Sequence, residues 1–266
     1  MRDALGAATE ALAAAGVEGP RLDAEVLLAA ATGWERAALI ADPGAELEPA
    51  AARRFGEAVR RRLRREPVAY IVGRRGFRRL ELAVDRRVLV PRPETELLVE
   101  LAAEVRPRRV LDVGTGSGAI ALAVADELAA AEVVATDTSP GALAVAQANA
   151  ERLGLAGRVR FVPGTLPEGE RFDLLLANLP YVAERDWPSL QPEVTQWEPR
   201  EALLAGPDGL DAYRALFAQP LPAPVVAVEL GQGQAPAVAQ LVRGAGFEQV
   251  ETRTDLAGIE RVVVGR

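Results

Sequence analysis

In the first part of the chain, apolar residues recur at the spacing of an α-helix and polar residues fill the positions between them. This pattern predicts helices over residues 4–15 and 22–30, and a third helix that begins at Pro49 and continues to residue 63. Residues that break helices separate them, namely Gly16, Gly33, Pro43 and Pro67. We therefore expect a small helical domain over residues 1–74.

After this domain the pattern changes to short runs that are typical of β-strands. The runs lie at residues 69–72, 77–84 and 88–90 and are separated by turn residues. We expect a β-hairpin linker over residues 75–90. Beyond the linker a helix is predicted to start, with Pro93 or Thr95 near its first turn.

The rest of the chain alternates apolar runs with helical stretches. Strands are predicted at residues 109–113, 132–136, 158–162, 172–177, 224–230, 247–252 and 259–264. Helices are predicted near residues 94–105, 118–130, 140–153, 208–218 and 234–244. Fully apolar strands are typical of a parallel sheet that is covered on both faces. We therefore expect residues 91–266 to form a doubly wound α/β domain, with a mostly parallel, seven-stranded, Rossmann-like sheet and a ligand at the carboxyl ends of its strands.

The composition narrows the possible chemistry. The chain has no cysteine, no histidine and, among its 31 basic residues, no lysine. This excludes thiol and imidazole catalysis, Schiff-base lysines and the lysine of a Walker loop, and we expect no metal site. Catalysis has to use carboxylates, amides, hydroxyls, arginines, main-chain groups or a bound cofactor.

The sequence predicts a cytoplasmic protein that is independent of membranes. No apolar stretch approaches the roughly 20 residues that a membrane-spanning helix needs. The first residues include Asp3 and lack a long apolar core, so they do not resemble a secretory signal. We expect the protein to be a monomer.

The formal net charge of -7 argues against a general nucleic-acid binder, and we expect no direct contact with nucleic acid. The charge is uneven, however, because fourteen arginines and four acidic residues lie between Arg53 and Arg92. Such a basic belt either steers an acidic or RNA-associated partner, or is the solvated face of a helix followed by an arginine-rich hairpin. The sequence does not decide between these two interpretations.

Three glycines, Gly114, Gly116 and Gly118, follow the first strand of the α/β domain and open the next helix. Glycine permits a sharp turn and a close approach of the backbone to a ligand. Asp112 precedes this loop, and Asp137 ends the next strand, where a carboxylate can accept both hydroxyls of a ribose. A pyrophosphate would bind at the free helix N-terminus, whereas S-adenosylmethionine (AdoMet) has a cationic end that suits Asp112 better.

A second motif, Asn178-Leu179-Pro180-Tyr181, directly follows an apolar strand. Asparagine in this position is often only a turn former, but here it lies at the ligand edge of the predicted sheet. The side-chain oxygen of Asn178 and the main-chain oxygen of Leu179 can together accept both N–H groups of a planar amino group. Tyr181 can pack against that group. The sequence therefore indicates a nitrogen-bearing substrate beside a nucleotide-like cofactor.

The tetrapeptide is similar to the Asn-Pro-Pro-Tyr signature of amino-group methyltransferases. Other segments resemble one branch of them, the release-factor glutamine N5-methyltransferases, known as the PrmC or HemK family. The resembling segments cover essentially the whole chain, at residues 21–28, 67–73, 88–96, 110–122, 149–155, 198–203, 209–213, 229–231 and 255–258. The most discriminating is Pro-Arg-Pro-Glu-Thr-Glu at residues 91–96, which generic methyltransferases lack.

The resemblance implies a class I methyltransferase that transfers a methyl group from AdoMet to the glutamine side-chain amide in the Gly-Gly-Gln motif of peptide chain release factors. It also implies that the helical domain recognises the factor. AdoMet would be held by Asp112, Gly114, Thr115, Gly116, Ser117, Gly118, Asp137, Thr138, Thr165 and Asn178. The glutamine would be held by the catalytic residues Asn178, Leu179, Pro180 and Tyr181, with Arg92 and Glu94 lining the crevice.

Two residues depart from the family pattern. Leu179 replaces the first signature proline, as it does in rRNA adenine dimethyltransferases, but leucine offers the same main-chain carbonyl. Thr165 stands where the family often has an acid near the adenine, and a hydroxyl can still bond an exocyclic amine. Two alternatives stay open: a methyltransferase acting on adenine or cytosine of nucleic acid, and a catalytically weak AdoMet-binding protein.

Overall fold

The computed structural model describes residues 1–42 and 44–266, and of Ile40 it describes the backbone alone. Pro43, which the sequence predicts as a helix break, therefore lies outside the described residues. The chain divides into two compact units. The first consists of residues 1–74 and 191–197, and the second of residues 75–190 and 198–266.

The first unit is helical. Its helices are α1 (Arg2–Ala14), α2 (Pro20–Thr32), α3 (Arg36–Ala41), α4 (Pro49–Leu63), α5 (Val68–Val72) and, from the later segment, α9 (Pro192–Trp197). Proline at the first position starts α2 and α4, where its missing N–H costs nothing. Gly33 ends α2 in the left-handed conformation that glycine tolerates best. Buried side chains such as Leu12, Leu27 and Phe55 form the core of this unit.

A buried ion-pair network ties the later segment into the first unit. Arg62 is buried and pairs with Asp23 at 2.7 Å and with Glu193 at 2.6 Å. Arg65 also pairs with Glu193, at 2.7 Å. Removing one partner of such a network leaves a buried charge unpaired, which typically costs about 3–5 kcal/mol. The chain therefore returns to the helical unit more than a hundred residues after leaving it.

Two of the expected β-like runs are wrong. Residues 69–72 lie in the short helix α5, because Pro67 supplies its first carbonyl acceptor and Gly73 ends it with a positive φ. Residues 88–90 are not in a strand, since the main-chain N–H of Val90 donates to the Glu198 carboxylate instead of to a neighbouring strand. The hairpin consists of β1 (Arg74–Phe77) and β2 (Leu80–Ala83). A turn at residues 78 and 79 therefore divides the expected run at 77–84, and the strands of the hairpin end at Ala83, before the expected residue 90.

The second unit is a doubly wound α/β domain built on a seven-stranded sheet, as the sequence predicts. Its strands are β3 (Arg109–Val113), β4 (Glu132–Asp137), β5 (Val159–Pro163), β6 (Leu174–Ala177), β7 (Val225–Glu229), β8 (Val250–Thr254) and β9 (Glu260–Gly265). They are arranged in the order β5-β4-β3-β6-β7-β9-β8. Neighbouring strands from β5 to β7 are parallel, and β9 runs antiparallel to both β7 and β8.

Helices cover this sheet. They are α6 (Glu96–Val105), α7 (Ala119–Glu127), α8 (Pro140–Arg152), α10 (Asp211–Phe217) and α11 (Ala235–Gly244). Buried apolar residues fill two clusters, one containing Leu122 and Leu174 and the other containing Leu175 and Val226. Alternate residues of β6 contribute to the two clusters, as expected for a strand that is buried on both faces.

The strand register aligns four loops at one edge of the sheet. Val113 at the end of β3 is paired with Thr136 of β4 and with Ala177 of β6. Ala177 is paired in turn with Val228 of β7. The residues that follow each of these positions therefore lie side by side, and they are Gly114, Asp137, Asn178 and Glu229. This edge is where an open α/β sheet binds ligands.

Among the residues that the structure describes, none of the helices is long and apolar enough to span a bilayer, and no group of acidic side chains is arranged to hold a metal ion. The basic belt is largely neutralised within the protein. At least eight of its arginines form ion pairs, namely Arg60, Arg61, Arg62, Arg65, Arg78, Arg79, Arg87 and Arg92. This pairing reduces the basic surface that a partner-steering belt requires, and the buried Arg62 departs from the solvated-face interpretation as well.

Candidate active site

The glycine loop after β3 is held by hydrogen bonds to the end of β4. The main-chain N–H groups of Gly114 and Thr115 both donate to the carbonyl of Thr136, at 2.9 Å each. The N–H of Gly116 donates to Oδ2 of Asp137 at 2.9 Å. Gly114 and Gly116 have φ angles of 75° and 57°, in the left-handed region that glycine adopts without strain. The backbone conformation of the loop therefore requires glycine, in addition to the close approach of a ligand that glycine permits.

Two of the three glycines also need their lack of a side chain. A Cβ on Gly114 would lie 3.3 Å from Cδ2 of Leu179 and 3.6 Å from the main-chain oxygen of Asn178. A Cβ on Gly118 would lie 2.9 Å from Cδ1 of Leu122. Gly114 therefore brings the loop after β3 against the loop after β6, whereas Gly118 brings the start of α7 against its own helix.

Asp112 lies beneath the loop and is fully buried. Its Oδ2 accepts hydrogen bonds from the Thr115 hydroxyl at 2.7 Å and from the N–H of Ala121 at 3.1 Å. Its Oδ1 has no partner among the described residues. Burial raises the pKa of Asp112 to about 7, against the opposing effect of the two hydrogen bonds, and the nearby Asp137 raises it further. Asp112 therefore fixes the shape of the glycine loop from below.

Asp137 ends β4 and faces the cavity with both carboxylate oxygens engaged by main-chain donors. Oδ2 accepts from Gly116, and Oδ1 accepts from the N–H of Ser139 at 2.8 Å. A carboxylate has about four lone-pair positions, so two of them remain for a ligand. Asp137 is thus an acceptor whose orientation is already set.

Asn178 follows β6, and its side chain is oriented by Thr95 in the turn that precedes α6. The Nδ2 group of Asn178 donates to the Thr95 hydroxyl oxygen at 3.0 Å, and Thr95 is buried. No donor among the described residues reaches Oδ1 of Asn178 or the main-chain oxygen of Leu179. Two acceptor oxygens from consecutive residues are therefore left for a ligand.

Tyr181 is placed differently from the wall that the sequence predicts. It packs against the apolar cluster under β6 and β7, and its main-chain oxygen accepts from Nε2 of Gln234 at 2.9 Å. Burial raises the pKa of Tyr181 to about 12, and the negative charge of Glu229 adds to this effect. The phenol therefore stays protonated and supports the turn from behind.

One cavity joins the glycine loop to the Asn178 turn. Its walls include Arg87, Val88, Leu89, Pro91, Arg92, Thr95, Val113, Ile120, Ser139, Ala142, Gly164, Pro199, Glu201 and Ala202. The sequence-predicted residues that line it are Arg92, already named, and Gly114, Thr115, Gly116, Ser117, Asp137, Thr138, Thr165, Asn178, Leu179 and Pro180. Four predicted site residues do not line it, namely Asp112, Gly118, Glu94 and Tyr181. Of these, Asp112 and Gly118 are taken up by internal packing and hydrogen bonding.

Arg92 lines the cavity, and an acid from a distant segment holds it there. Its Nη2 pairs with Oε1 of Glu198 at 2.5 Å, and the other carboxylate oxygen of Glu198 accepts from the N–H of Val90 at 3.0 Å. Glu198 is buried, so its carboxylate is shielded from water. The interaction fixes the guanidinium at the cavity wall.

The sequence interpretation assigns no role to several residues that build this site. Asn149 of α8 is fully buried and donates from Nδ2 to the main-chain oxygens of Ser117 and Ala83, at 2.9 Å each. It thereby ties the glycine loop to the hairpin. Glu229, next to Asn178 across the sheet, is also buried. In the sequence, Glu229 is recognisable only as a single acid at the end of an otherwise apolar strand. That it lies beside Asn178 follows from the strand order.

Two family models match different parts of the chain. The model of the PrmC N-terminal domain matches residues 3–73. The model of the methyltransferase small domain matches residues 93–194, which include the glycine loop and the Asn178 turn.

Relatives match over almost the whole chain. The release factor glutamine methyltransferase of Moorella thermoacetica is 44% identical over 273 residues, which cover 98% of this chain and 96% of that protein. The one from Cereibacter sphaeroides is 45% identical over 270 residues, covering 99% and 97%. The chain belongs to the release factor glutamine methyltransferase family. The resemblance read from the sequence motifs is thereby confirmed, and the protein is a methyltransferase.

Solved structures show the same fold at low sequence identity. The catalytic domain of human METTL16 in complex with MAT2A 3′UTR hairpin 1 has a TM-score of 0.57 and 15% identity, covering 69% of this chain and 74% of that chain. The same domain with hairpin 6 gives a TM-score of 0.55. This likeness concerns the architecture of the α/β unit only.

Proposed function

We propose that this chain transfers the methyl group of AdoMet to the side-chain amide nitrogen of the glutamine in the Gly-Gly-Gln motif of peptide chain release factors. The observation that carries the proposal is the pair of acceptor oxygens on Asn178 and Leu179, two residues that line the same cavity as the glycine loop. A carboxamide –NH₂ has two N–H donors in one plane, and two acceptors on consecutive residues are suited to receive them. Membership of the family supports the choice of substrate.

The residues of the cavity fit AdoMet. Asp137 keeps two acceptor positions, which suit the two hydroxyls of a ribose. A Cβ on Gly116 would meet nothing within 4 Å, so the backbone there borders open space that a ligand can occupy. The apolar side chains of Ile120 and Ala142 line the same cavity and suit the face of an adenine.

We assign the binding of AdoMet to Gly114, Thr115, Gly116, Ser117, Asp137, Thr138 and Thr165, with Asp112 acting through the loop that it supports. When bound, AdoMet supplies an activated methyl group on a positively charged sulfur. Asp137 binds the ribose hydroxyls, and the Thr165 hydroxyl is available to the adenine amine. The glycine loop presents its backbone closely because it carries no Cβ.

An amide nitrogen is a weak nucleophile because its lone pair is delocalised into the carbonyl. Asn178 Oδ1 and the Leu179 carbonyl oxygen accept its two N–H groups and fix the direction of the lone pair. The same oxygens stabilise the positive charge that develops on the nitrogen during transfer. The surplus proton would pass to water after the transfer, so the site requires no histidine, lysine or cysteine. Leu179 and Pro180 also help to keep water out of the cavity.

We infer that the first unit recognises the release factor. It has its own core, and all residues that line the cavity belong to the second unit. The exposed large apolar side chains of the first unit include Leu22, which is 50% exposed, and Trp34, which is 42% exposed. If they contact the factor, the double variant Leu22→Ser/Trp34→Ser raises KM for the intact factor and leaves KM for a short Gly-Gly-Gln peptide unchanged. An equal change for both substrates would contradict this assignment.

We further propose that Arg92 contacts the segment that carries the glutamine, and that the protein acts as a monomer in the cytoplasm without binding nucleic acid directly. The net charge of -7 and the internal pairing of the basic belt support the absence of a nucleic-acid surface. Sedimentation at micromolar concentration tests the monomer.

The decisive experiment incubates the purified chain with labelled AdoMet and, in parallel, release factor, tRNA and rRNA. We expect label only in the factor, and mass spectrometry should place one methyl group on the Gly-Gly-Gln glutamine. Label in RNA alone would overturn the proposal in favour of a nucleic-acid substrate. Binding of AdoMet without transfer to any of the three would indicate the catalytically weak protein.

A further inference from the structure

A second buried carboxyl lies directly beside the acceptor asparagine. Glu229 ends β7, and the register places it next to Asn178, because Ala177 pairs with Val228. Only 2% of Glu229 is exposed, and its Oε2 has no hydrogen-bond partner among the described residues. A buried carboxyl without full hydrogen bonding is costly to keep. The transfer chemistry described above does not use it.

Thr95 connects Glu229 to Asn178. The Thr95 hydroxyl accepts from Nδ2 of Asn178 at 3.0 Å. Thr95 also interacts with the Glu229 carboxyl and lowers its pKa. These three residues come from a turn before α6, the end of β6 and the end of β7. Their side chains form a row from a buried acid through a hydroxyl to the acceptor site, along which a chain of hydrogen bonds can run.

The direction of this chain decides which end of the Asn178 amide is free. The oxygen and the –NH₂ of asparagine are similar in size, so hydrogen bonds select the orientation. A threonine hydroxyl carries one hydrogen. When it donates that hydrogen to an ionised Glu229, its oxygen can only accept from Asn178 and selects the Nδ2 side. Oδ1 of Asn178 is then left to accept from a substrate –NH₂.

We propose that Glu229 and Thr95 are positioning residues for the acceptor site, which together hold Asn178 with its side-chain oxygen free for the substrate amide. The proposal rests on the proposed function, because it concerns how the amide nitrogen is received. Protonation of Glu229 would remove the constraint. The carboxyl could then donate to Thr95, and Thr95 could donate to Oδ1 of Asn178, which would withdraw the acceptor.

The surroundings of Glu229 make its protonation state sensitive near neutral pH. Burial raises the pKa of Glu229 to about 7, the hydrogen bond from Thr95 lowers it, and the negative charge of Glu94 raises it. Arg261 and Arg92 lower it, but these cations are already paired with Asp255 and Glu198. The Tyr181 phenol also interacts with Glu229 and stays neutral in this range.

The first test compares Thr95→Val, Thr95→Ser and Glu229→Gln in the full-length chain, with an intact release factor as substrate. Thr95→Val keeps the shape and removes the hydrogen bonds. We expect it to lower kcat on the order of 10- to 100-fold, as misplacement of a reacting group does. KM for the factor and the Kd for AdoMet should stay within about threefold of the wild type. Thr95→Ser restores the hydroxyl and should recover most of kcat.

An exposed threonine–glutamate pair elsewhere in the sheet provides a matched control. The Thr252 hydroxyl lies 3.2 Å from Oε1 of Glu260, on β8 and β9. Thr252→Val and Glu260→Gln should leave kcat unchanged. Wild-type kcat in Thr95→Val, or an equal loss in Thr95→Val and Thr95→Ser, would overturn the positioning role.

The second test is the pH profile of kcat between pH 6 and 8.5. Because the pKa of Glu229 is raised, the carboxylate and the activity are present above about pH 7 and are lost as the pH falls through that value. The pKa of Asp112 lies in the same range. Substitutions therefore decide which of the two carboxyls causes the loss of kcat at low pH, the acid limb of the profile. In Glu229→Gln the limb should disappear at a uniformly reduced kcat, and in Asp112→Asn it should remain. An unchanged limb in Glu229→Gln would contradict the proposal.

A third readout does not depend on the substrate. The chain has two asparagines, Asn149 and Asn178, so selective ¹⁵N labelling gives two side-chain amide groups in NMR spectra. Both are hydrogen-bonded, and Thr95→Val should increase the exchange rate of the Asn178 amide hydrogens while leaving Asn149 unchanged. If the wild type does not methylate the glutamine, the proposed function fails, and this readout still decides the orientation. Unaltered Asn178 exchange in Thr95→Val would refute the hydrogen-bond chain.

Discussion

The two loops that face each other across the cavity are built in different ways. The glycine loop after β3 is fixed within one stretch of the chain. Asp112 accepts from Thr115 and Ala121, and Thr136, Asp137 and Asn149 bond the loop from no more than 32 residues away. The turn after β6 is fixed by distant ones, since Asn178 donates to Thr95 across 83 residues and Tyr181 accepts from Gln234 across 53. The methyl-donor side is therefore built within one continuous segment of the chain, and the acceptor side joins residues from distant segments.

This difference has a functional consequence under the proposed mechanism. A loop made of glycines and main-chain donors can bind a cofactor in many proteins with the same strand–loop–helix unit. An acceptor that depends on several distant residues can be specific to one substrate chemistry. We therefore expect substitutions near Asn178 to affect turnover and substitutions near Asp137 to affect cofactor affinity.

The largest effect is expected for Asn178→Ala. It removes one of the two acceptors that stabilise charge on the substrate nitrogen, and such a loss typically lowers kcat by about 10²–10³-fold. Because Asp137 and the glycine loop remain intact, the Kd for AdoMet, measured by calorimetry, should change by less than about threefold. Near-normal turnover would exclude the acceptor role, and a matching loss of AdoMet affinity would place Asn178 on the donor side.

Asp137→Ala is expected to affect the methyl-donor side, by weakening the binding of AdoMet. Hydrogen bonds to a charged group contribute about 1.5–3 kcal/mol each, so AdoMet affinity should fall on the order of 10- to 100-fold. At saturating AdoMet, kcat should recover to within several-fold of the wild type. Asp126→Ala, which removes an exposed partner of Arg79, is the control and should leave the Kd unchanged. An unaltered Kd in Asp137→Ala would contradict the ribose assignment.

Gly114→Ala and Gly116→Ala are expected to affect different sides of the cavity, although the two glycines are only two positions apart in the chain. Both force alanine into the left-handed region, which costs about 1–2 kcal/mol of stability each. The new methyl group of Gly114→Ala presses on Leu179 at 3.3 Å and should lower kcat about tenfold, whereas that of Gly116→Ala points into open space and should weaken AdoMet binding instead. Thermal unfolding measures the shared cost. If both variants impair kcat and Kd equally, the two loops are not separable.

The smallest effect is expected for Leu179→Pro, which introduces the residue of the family signature. The main-chain carbonyl of residue 179 is present in either case, so kcat on the release factor should change by less than about threefold. Transfer to RNA should stay at background in both proteins. A tenfold gain for the factor, or a loss of RNA transfer that the wild type possesses, would show that Leu179 sets the substrate class.

The sequence predicts the local part of this molecule well. The period of the apolar residues indicates the main helices and all seven strands of the large sheet, and the glycine spacing indicates the donor loop. It fails at residues 69–72, where an apolar, β-branched run forms a helix because Pro67 and Gly73 bracket only five residues. A run of this length does not distinguish a strand from a helical turn.

The acceptor side is harder to predict because its contacts join residues that are far apart in the chain. Asn178 is recognisable from its position after an apolar strand, but nothing near it in sequence indicates Thr95 or Glu229 as partners. The order of the strands and their register bring these groups together. Similarly, the burial of Asp112 and the packing of Tyr181 follow from neighbouring helices and strands. The sequence alone therefore predicts that both residues line the cavity, which they do not.

The central claim is that Asn178 Oδ1 and the Leu179 carbonyl oxygen receive the two N–H groups of the substrate amide. A crystal structure of the chain with a release factor and S-adenosylhomocysteine tests it most directly. We expect the glutamine amide nitrogen within about 2.7–3.2 Å of both oxygens and facing the cofactor sulfur. An amide nitrogen bound elsewhere, or a cofactor lodged away from the glycine loop, would contradict the account.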